Sequence, residues 1–236
     1  DITQQRLLED QLRKTDRLAE LGTLASGMAH EIGTPMNVIL GRAELLMRKA
    51  TDERTRRGLE TIVTQVERIT KIMNQLLSFA RKRPAERHGI SLEAIMIDVL
   101  DVLQERFEKQ HIQVTQTVSP DLPKVLADSD HMNQVFLNLF LNACQAMPEG
   151  GTLSLALYPT EDTVELTVQD TGCGIPQEQL SKVFDPFFST KAVGEGTGLG
   201  LTVVHGILQE HQGAIHVRSD PGQGTTFIVS LPMYSA

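Results

Sequence analysis

The glycine-rich region between residues 170 and 201 decides the fold. It opens with Asp170-Thr171-Gly172-Cys173-Gly174-Ile175-Pro176 and closes with Gly194-Glu195-Gly196-Thr197-Gly198-Leu199-Gly200-Leu201. The first run directly follows an alternating segment typical of a strand, and the second leads into a segment typical of a helix. Because glycine lacks a Cβ atom, both runs can let the backbone approach a ligand closely.

Helices and mostly antiparallel strands surround this region. Helices are predicted over Ser91–Lys109, Ser129–Met147 and Leu199–Glu210. Strands are predicted over Ile112–Val118 and Lys124–Leu126, and as two hairpins, Thr152–Tyr158 with Thr163–Gln169 and Ala214–Ser219 with Thr225–Leu231. This order predicts an α+β two-layer sandwich.

The first 83 residues have a helical pattern instead. Apolar side chains recur in a heptad pattern at Leu18, Leu21, Ala25, Met28 and Ile32, and the pattern resumes beyond Pro35. Thr51–Thr55 reads as a turn, and a second apolar stripe runs from Leu59 to Ala80. The pattern predicts an antiparallel helical hairpin. Since one hairpin cannot bury both stripes, we expect a homodimer with a four-helix bundle.

Composition excludes several classes of protein. Hydrophobic residues make up 40% and charged residues 22% of the 236 residues, which is typical of a globular chain. No apolar run approaches the length of a membrane span or a signal peptide. Two cysteines are too few for a disulfide framework, so a cytoplasmic location is expected. Aromatic residues make up 4% and tryptophan is absent, which disfavours nucleic-acid binding by stacking.

The charge distribution divides the chain near Arg83-Pro84. Residues 1–83 carry 15 basic and 11 acidic side chains, a net charge of +4, and the remaining 7 and 19 give residues 84–236 a net charge of −12. This asymmetry predicts two units with different partners.

A candidate nucleophile lies in the first predicted helix. His30 offers a nucleophilic nitrogen when its imidazole is neutral, and the adjacent Glu31 can orient the ring or accept its proton. Thr34 lies four residues further on, so its hydroxyl shares a helix face with His30. Taken alone, such a histidine is also typical of a solvated helix surface.

Two further positions carry groups suited to a nucleotide. Asn138 and Asn142 lie one helical turn apart, and their amide oxygens can help to hold Mg²⁺, although the pair is also typical of a polar helix surface. The carboxylate of Asp170 can accept a hydrogen bond from the exocyclic amine of adenine, beside Gly172 and Gly174. An ordinary turn is the alternative interpretation there.

The closing glycine run predicts a phosphate site. A glycine loop that ends at a helix N-terminus presents free N–H groups and a favourable dipole to an anion. The spacing of Gly196, Gly198 and Gly200 matches neither the P-loop nor the dinucleotide fingerprint. Upstream of this run, the segment Phe184–Lys191 contains three phenylalanines that anchor it or belong to the core, and a lysine that can meet a phosphate.

The five segments together resemble the transmitter of bacterial two-component sensor histidine kinases, in their order and spacing and over essentially the whole chain. The segment around His30 is similar to the H box of that family, Asn138–Asn142 to the N box, Asp170–Gly174 to the G1 box, Phe184–Lys191 to the F box and Gly196–Leu201 to the G2 box. The Gln134–Asn138 and Asn142–Met147 segments resemble the nitrogen-regulation (NtrB-like) subgroup. Asp1-Ile2-Thr3 is similar to the end of many PAS sensor domains.

The resemblance implies an architecture and an activity. Residues 1–17 would be a coiled-coil linker from an upstream sensor, 18–83 the dimerisation and phosphotransfer domain, and 84–236 the catalytic domain of the fold shared by gyrase, Hsp90, histidine kinases and MutL. His30 would take the γ-phosphoryl group of ATP and pass it to an aspartate of a response-regulator receiver domain.

The resemblance also assigns roles to individual residues. Glu31 would be the general base, and Thr34 would support phosphatase action on the regulator. Asp170 would bind adenine, and Asn142 with Asn138 would hold Mg²⁺. The other implied nucleotide-binding residues are Gly172, Gly174, Phe184, Lys191, Gly196, Thr197, Gly198, Leu199 and Gly200.

Three other functions remain open at this point. A hydrolytic ATPase of the same fold would need a base to activate water, for which Gln134 is poorly suited. A coiled-coil scaffold would explain the hairpin but leave the nucleotide motifs without a role. A pseudokinase would bind ATP without labelling His30. Gly33 stands where the family usually has Arg or Lys, and with Pro35 it predicts a hinge in the first helix.

Overall fold

The computed structural model describes residues 32–80, 85–189 and 198–234, with the side chains of residues 71, 72 and 74–80 left aside. The chain divides into two compact units, Asp1–Arg83 and Pro84–Ala236. The predicted linker segment 1–17 lies outside the described residues.

The first unit contains two helices. Helix α1 covers residues 32–49 of the described chain and continues past Pro35, as predicted, and α2 spans Glu53–Ala80. The turn predicted over Thr51–Thr55 is too long, because only residues 50–52 separate the helices. Asp52 explains the early start of α2: its Oδ1 accepts the backbone N–H of Thr55 at 2.8 Å, and this bond lowers the pKa of Asp52.

Six of the described large apolar side chains of these helices are open to solvent within one chain. The exposed set comprises Val38, Ile39, Leu45, Leu46, Ile62 and Ile69, with exposed fractions between 41% and 59%. Ala43 and Val66 are nearly fully buried. The two apolar stripes of the first unit are therefore only partly covered by the described part of the chain.

The second unit is an α/β sandwich. Its strands are β1 (His88–Ile90), β2 (Ile112–Val118), β3 (Val125–Ala127), β4 (Gly151–Pro159), β5 (Thr163–Asp170), β6 (Ala214–Asp220) and β7 (Gly224–Pro232). Its helices are α3 (Leu92–Lys109), α4 (Ser129–Ala146), α5 (Gln177–Leu180) and α6 (Gly200–Glu210). The main sheet has the order β2-β4-β5-β7-β6, and β1 and β3 form a separate pair.

The helices α3, α4 and α6 form the second layer, with α4 in contact with both of the others and with the sheet. Side chains alternate along β4 and β5 so that Leu155 and Leu166 are buried against this layer. Phe136 and Phe140 of α4 are 1% and 0% exposed and fill the space between sheet and helices. The α+β two-layer prediction is therefore confirmed.

Several boundaries and pairings differ from the prediction. The strand predicted over Lys124–Leu126 lies one residue further on, and helices α3, α4 and α6 each lack one predicted terminal residue. The sequence analysis predicts no strand at β1, whose His-Gly-Ile segment contains one apolar residue. Strands β2 and β4 pair in parallel, since α4 crosses between them. Among the described helices, none combines the length and apolar character needed to cross a bilayer.

Candidate functional site

The site is built around the buried carboxylate of Asp170, the last residue of β5. Asp170 is 4% exposed, and its Oδ1 accepts the backbone N–H groups of Gly172 at 2.8 Å and Thr225 at 3.3 Å. No described residue donates a hydrogen bond to Oδ2. Burial raises the pKa of Asp170, while the two backbone hydrogen bonds oppose that rise. One oxygen is thus fixed by the protein, and the other can accept a hydrogen bond from a ligand.

The turn that follows Asp170 packs against the C-terminal end of α4. The backbone N–H of Cys173 donates to the carbonyl of Ala146 at 3.0 Å. A Cβ atom on Gly172 would lie 2.6 Å from Cβ of Ala146, so only glycine allows this approach. Asn142 lies one helical turn before Ala146, which brings its amide to the same end of α4 as Asp170.

The two asparagines of α4 present amide groups with different partners. The Nδ2 of Asn138 donates to the carbonyl of Gln134 at 2.9 Å, which leaves its Oδ1 available as an acceptor. The side chain of Asn142 is half-buried and hydrogen-bonds to no described residue. Oxygen ligands of this type suit Mg²⁺, which is held in proteins by few protein ligands.

The N-terminus of α6 lies beside these amides. A Cβ atom on Gly200 would be 3.2 Å from Oδ1 of Asn138, so the first residue of α6 faces the middle of α4. No described side chain caps this helix. Its first N–H groups are therefore suited to an anionic ligand.

The segment that contains Phe184 is attached to the same helix. The ring of Phe184 lies 5.5 Å from that of His205 on α6, and Thr202 Oγ1 donates to the carbonyl of Phe184 at 3.1 Å. The backbone N–H of Phe187 donates to the carbonyl of Gly198 at 3.0 Å. Gly198 has a φ of 66°, and a Cβ atom there would be 2.7 Å from Cα of Phe187.

The structure therefore groups the predicted site residues of the second unit around α4. The described members of this group are Asn138, Asn142, Asp170, Gly172, Gly174, Phe184, Gly198, Leu199 and Gly200. The predicted residues His30, Glu31, Lys191, Gly196 and Thr197 lie outside the described residues. Thr34 lies on the exposed side of α1 in the first unit.

Two described residues of this region were not among the predicted site residues. Thr225 donates its backbone N–H to Asp170 from the neighbouring strand β7, and Thr202 joins α6 to Phe184. Both contacts join residues that are far apart in the sequence, so no local motif predicts them.

Comparison with known proteins identifies the family. Residues 20–85 match the family described as the His Kinase A (phospho-acceptor) domain, and residues 127–235 match the histidine kinase-, DNA gyrase B- and HSP90-like ATPases. The chain is also 31% identical to the catalytic domain of the histidine kinase ThkA, with a TM-score of 0.58 over 63% of this chain and 96% of that one. The chain belongs to the histidine kinases.

Longer histidine kinases align with nearly the whole chain. The sensor histidine kinase ZraS of Escherichia coli (strain K12) is 34% identical over 98% of this chain and 50% of its own length. Sporulation kinase A of Bacillus subtilis (strain 168) is 34% identical over 98% of this chain and 38% of its own length. The chain thus spans half or less of the length of these relatives.

A solved structure of a full-length histidine kinase extends the similarity across both units. Full-length ShkA, in complex with AMPPNP, has a TM-score of 0.77 and 26% identity over 91% of this chain and 46% of its own. The present chain therefore has a helical region that matches the phospho-acceptor family, followed by an ATPase-type α/β unit, which confirms the predicted fold class.

Proposed function

We propose that this chain binds ATP in its α/β unit, transfers the γ-phosphoryl group to His30 and then passes it to an aspartate of a response-regulator receiver domain. The observation that carries the proposal is the carboxylate of Asp170, buried to 4% exposure with one oxygen bonded by backbone and the other left for a ligand. Two related structures support it. ShkA was crystallised with AMPPNP, and ThkA, 27% identical with a TM-score of 0.70 over 96% of this chain and 66% of its own, with the response regulator protein TrrA.

Asp170 is suited to select adenine. Its Oδ2 can accept a hydrogen bond from the exocyclic amine of adenine, whereas guanine presents an acceptor at the equivalent position. Gly172 keeps the turn against α4, and Gly174, with a φ of 69°, lets the turn pack against the backbone of Asp220. These residues would therefore bind ATP in preference to GTP.

Asn142 and Asn138 are the residues suited to hold Mg²⁺. The free amide of Asn142 and the unused Oδ1 of Asn138 supply neutral oxygen ligands, which is the chemistry that this cation accepts. Bound there with the nucleotide, Mg²⁺ would offset the negative charge of the triphosphate. The residues proposed to contact the phosphates are Gly196–Gly200, including Thr197, and Lys191.

The chemical step takes place at His30. The lone pair of a neutral imidazole nitrogen attacks the γ-phosphorus, the bond to the bridging oxygen breaks, and ADP leaves with that electron pair. Glu31 accepts the proton released by the imidazole. In a separate phosphatase reaction, the hydroxyl of Thr34 would position water for hydrolysis of the phosphorylated regulator.

The exposed apolar side chains of α1 and α2 support a homodimer. Leu46 and Ile62, at 53% and 43% exposure, would be covered when two helical hairpins form a four-helix bundle. We assign 18–83 as the dimerisation and phosphotransfer domain, 84–236 as the catalytic domain and 1–17 as the linker from an upstream sensor. We also propose that the chain belongs to an NtrB-like subgroup, that its upstream sensor is of the PAS type and that its location is cytoplasmic.

The test is incubation with γ-labelled ATP and Mg²⁺. Wild type should acquire acid-labile, base-stable label, and both His30→Ala and Asn142→Ala should acquire none. His216→Ala, on an exposed position of β6, and Asn133→Ala, on α4 beyond the site, are the matched controls and should label normally. Label on His30→Ala would overturn the phosphorylation site. ATP binding without label on wild type would favour the pseudokinase.

A further inference from the structure

Thr202 makes a contact that the known motifs do not explain. Its side chain is 6% exposed in the first turns of α6, and its hydroxyl donates to the carbonyl of Phe184 at 3.1 Å. The carbonyl of Gly198, one turn earlier, lies at 3.5 Å from the same hydroxyl. A helical threonine ordinarily bonds to the carbonyl four residues before it, so the shorter tertiary contact here is the distinctive one.

A second contact closes the same junction. The backbone N–H of Phe187 donates to the carbonyl of Gly198, and Phe187 itself has a φ of 64°. Such a conformation is rare and costly for a bulky residue, and it persists only where the surroundings fix it. The ring of Phe184 against His205 adds a third contact between segment 184–187 and segment 198–205, which includes the start of α6. The junction is therefore held by a buried hydroxyl, a backbone bond and a ring contact.

The junction determines where α6 begins relative to α4. The helix starts at Gly200, which faces Oδ1 of Asn138, and no described side chain caps it. Thr202 is two residues from Gly200, so a shift of the first turn would move the uncapped N–H groups away from the asparagines. Asp170, by contrast, is bonded by Gly172 and Thr225, neither of which belongs to α6.

We propose that Thr202 is a positioning residue for the phosphate end of the nucleotide. By bonding to Phe184 it fixes the N-terminal turn of α6 beside Asn138, and it has no direct part in binding the adenine end. This inference rests on the proposed function and extends it: affinity for the phosphates depends on Thr202, whereas affinity for the nucleoside does not.

Two substitutions separate the hydroxyl from the shape of the side chain. Thr202→Val keeps the branched shape but removes the donor, and Thr202→Ser keeps the donor. Thr115→Val is the matched control. It also removes a single side-chain hydrogen bond, from Thr115 Oγ1 on β2 to Ser154 Oγ at 3.0 Å, but on an exposed part of the sheet.

The experiment measures the dissociation constants of adenosine and of ATP with Mg²⁺ for the whole chain by calorimetry or competition. Thr202→Val should weaken ATP about tenfold, as expected for loss of one buried hydrogen bond, and change adenosine by less than about twofold. Thr202→Ser should bind ATP within about threefold of wild type, and Thr115→Val should match wild type. Retained adenosine affinity shows that the variant is folded around Asp170.

Other outcomes identify which idea fails. Equal weakening of ATP and adenosine by Thr202→Val, or no weakening of ATP, would overturn the positioning role. Failure of Thr202→Ser to recover ATP affinity would do the same. Asp170→Asn should weaken both ligands, and a wild-type chain that binds neither would overturn the proposed function itself.

Discussion

The two units of this kinase bury their apolar side chains to different degrees. In the described part of the helical unit, Leu46 is 53% exposed and Val38 59%. In the α/β unit, Leu139 and Met132 of α4 are 0% exposed. A helix pair that leaves its stripe open must obtain the missing contacts from another surface, whereas a sheet covered by three helices closes its own core.

Glycine shows the same contrast. A Cβ atom on Gly33, Gly41 or Gly58 of the helical unit would meet nothing within 4 Å. A Cβ atom on Gly172 of the α/β unit would lie 2.6 Å from Cβ of Ala146. The backbone of the second unit is thus closely packed where the turn after Asp170 meets α4, whereas these three glycines of the first unit lie in open positions.

The largest expected effect comes from placing a charge on the open stripe. Leu46→Asp would put two carboxylates into the proposed symmetric dimer interface, one from each copy, and each would be desolvated there. We expect the dimer to weaken at least about a thousandfold, or about 4 kcal/mol, by sedimentation equilibrium. Val102→Asp on α3, where the side chain is 76% exposed, is the control and should leave association unchanged. A Leu46→Asp chain that remains a dimer would show that this stripe has another role.

A cavity in the closed core should have the next largest effect. Leu139→Ala removes a fully buried side chain and should lower the free energy of unfolding by about 3 kcal/mol, independently of protein concentration. Leu137→Ala, two residues earlier and 36% exposed, should cost less than about 1 kcal/mol. Urea unfolding of both variants measures the difference. Similar losses would contradict the assignment of Leu139 to a closed core.

The sequence predicted regular elements better than their partners. The hairpins β4–β5 and β6–β7 were predicted because alternation and turn residues are local signals. The parallel pairing of β2 with β4 was not specified, because it depends on how α4 crosses the sheet. The early start of α2 follows from one capping hydrogen bond, in which Asp52 accepts the backbone N–H of Thr55. The polar residues there favoured a turn in the sequence analysis.

The site shows the same limit. The sequence motifs predict Asp170 and Asn142 as site residues, because residue type and order carry the resemblance, and these assignments stay predictions. Thr225 and Thr202 were not predicted. Thr225 donates a backbone N–H from a neighbouring strand, and the hydroxyl of Thr202 bonds to a residue 18 positions earlier, so neither contact leaves a pattern in the sequence. Which side chains surround a motif residue is a property of packing.

A pH dependence should distinguish the two units. His211 is 1% exposed, its Nδ1 donates to the carbonyl of Ile207 at 2.8 Å, and its Nε2 accepts the backbone N–H of Asp128 at 3.1 Å. This pattern requires a neutral ring, and burial lowers the pKa of His211. The helical unit contains one histidine, His30, and the α/β unit contains the other six. A loss of stability that is caused by His211 between about pH 7.5 and about pH 5.5 should therefore arise in the α/β unit.

The sign follows from the lowered pKa. Above about 6.5, the ordinary value for histidine, both states are neutral and the contribution of His211 is complete. As the pH falls below that value, the unfolded chain takes up the proton first, so stability decreases by about 1 kcal/mol. His131, Arg87 and Glu210 also face the ring, and the first two disfavour its protonation.

Urea unfolding of wild type and His211→Gln at the two pH values measures this contribution. His211→Gln should be less stable at neutral pH and show a smaller decrease on acidification. Part of the decrease should remain, because burial also lowers the pKa of His205. An unchanged pH dependence in the variant would exclude His211 as its source.

The smallest expected effect is an increase in stability. Gly33→Ala and Gly41→Ala each place a methyl group in open space on α1 and should raise helix stability by about 0.5–1 kcal/mol, measured as a higher Tm. The two variants should differ in activity if Gly33, three residues after the proposed phosphorylation site His30, provides a hinge with Pro35. Gly33→Ala should then label His30 more slowly than wild type, while Gly41→Ala labels at the normal rate. Equal rates in the two variants would leave Gly33 as an ordinary helix glycine, and the open backbone of the first unit would then have no role in catalysis.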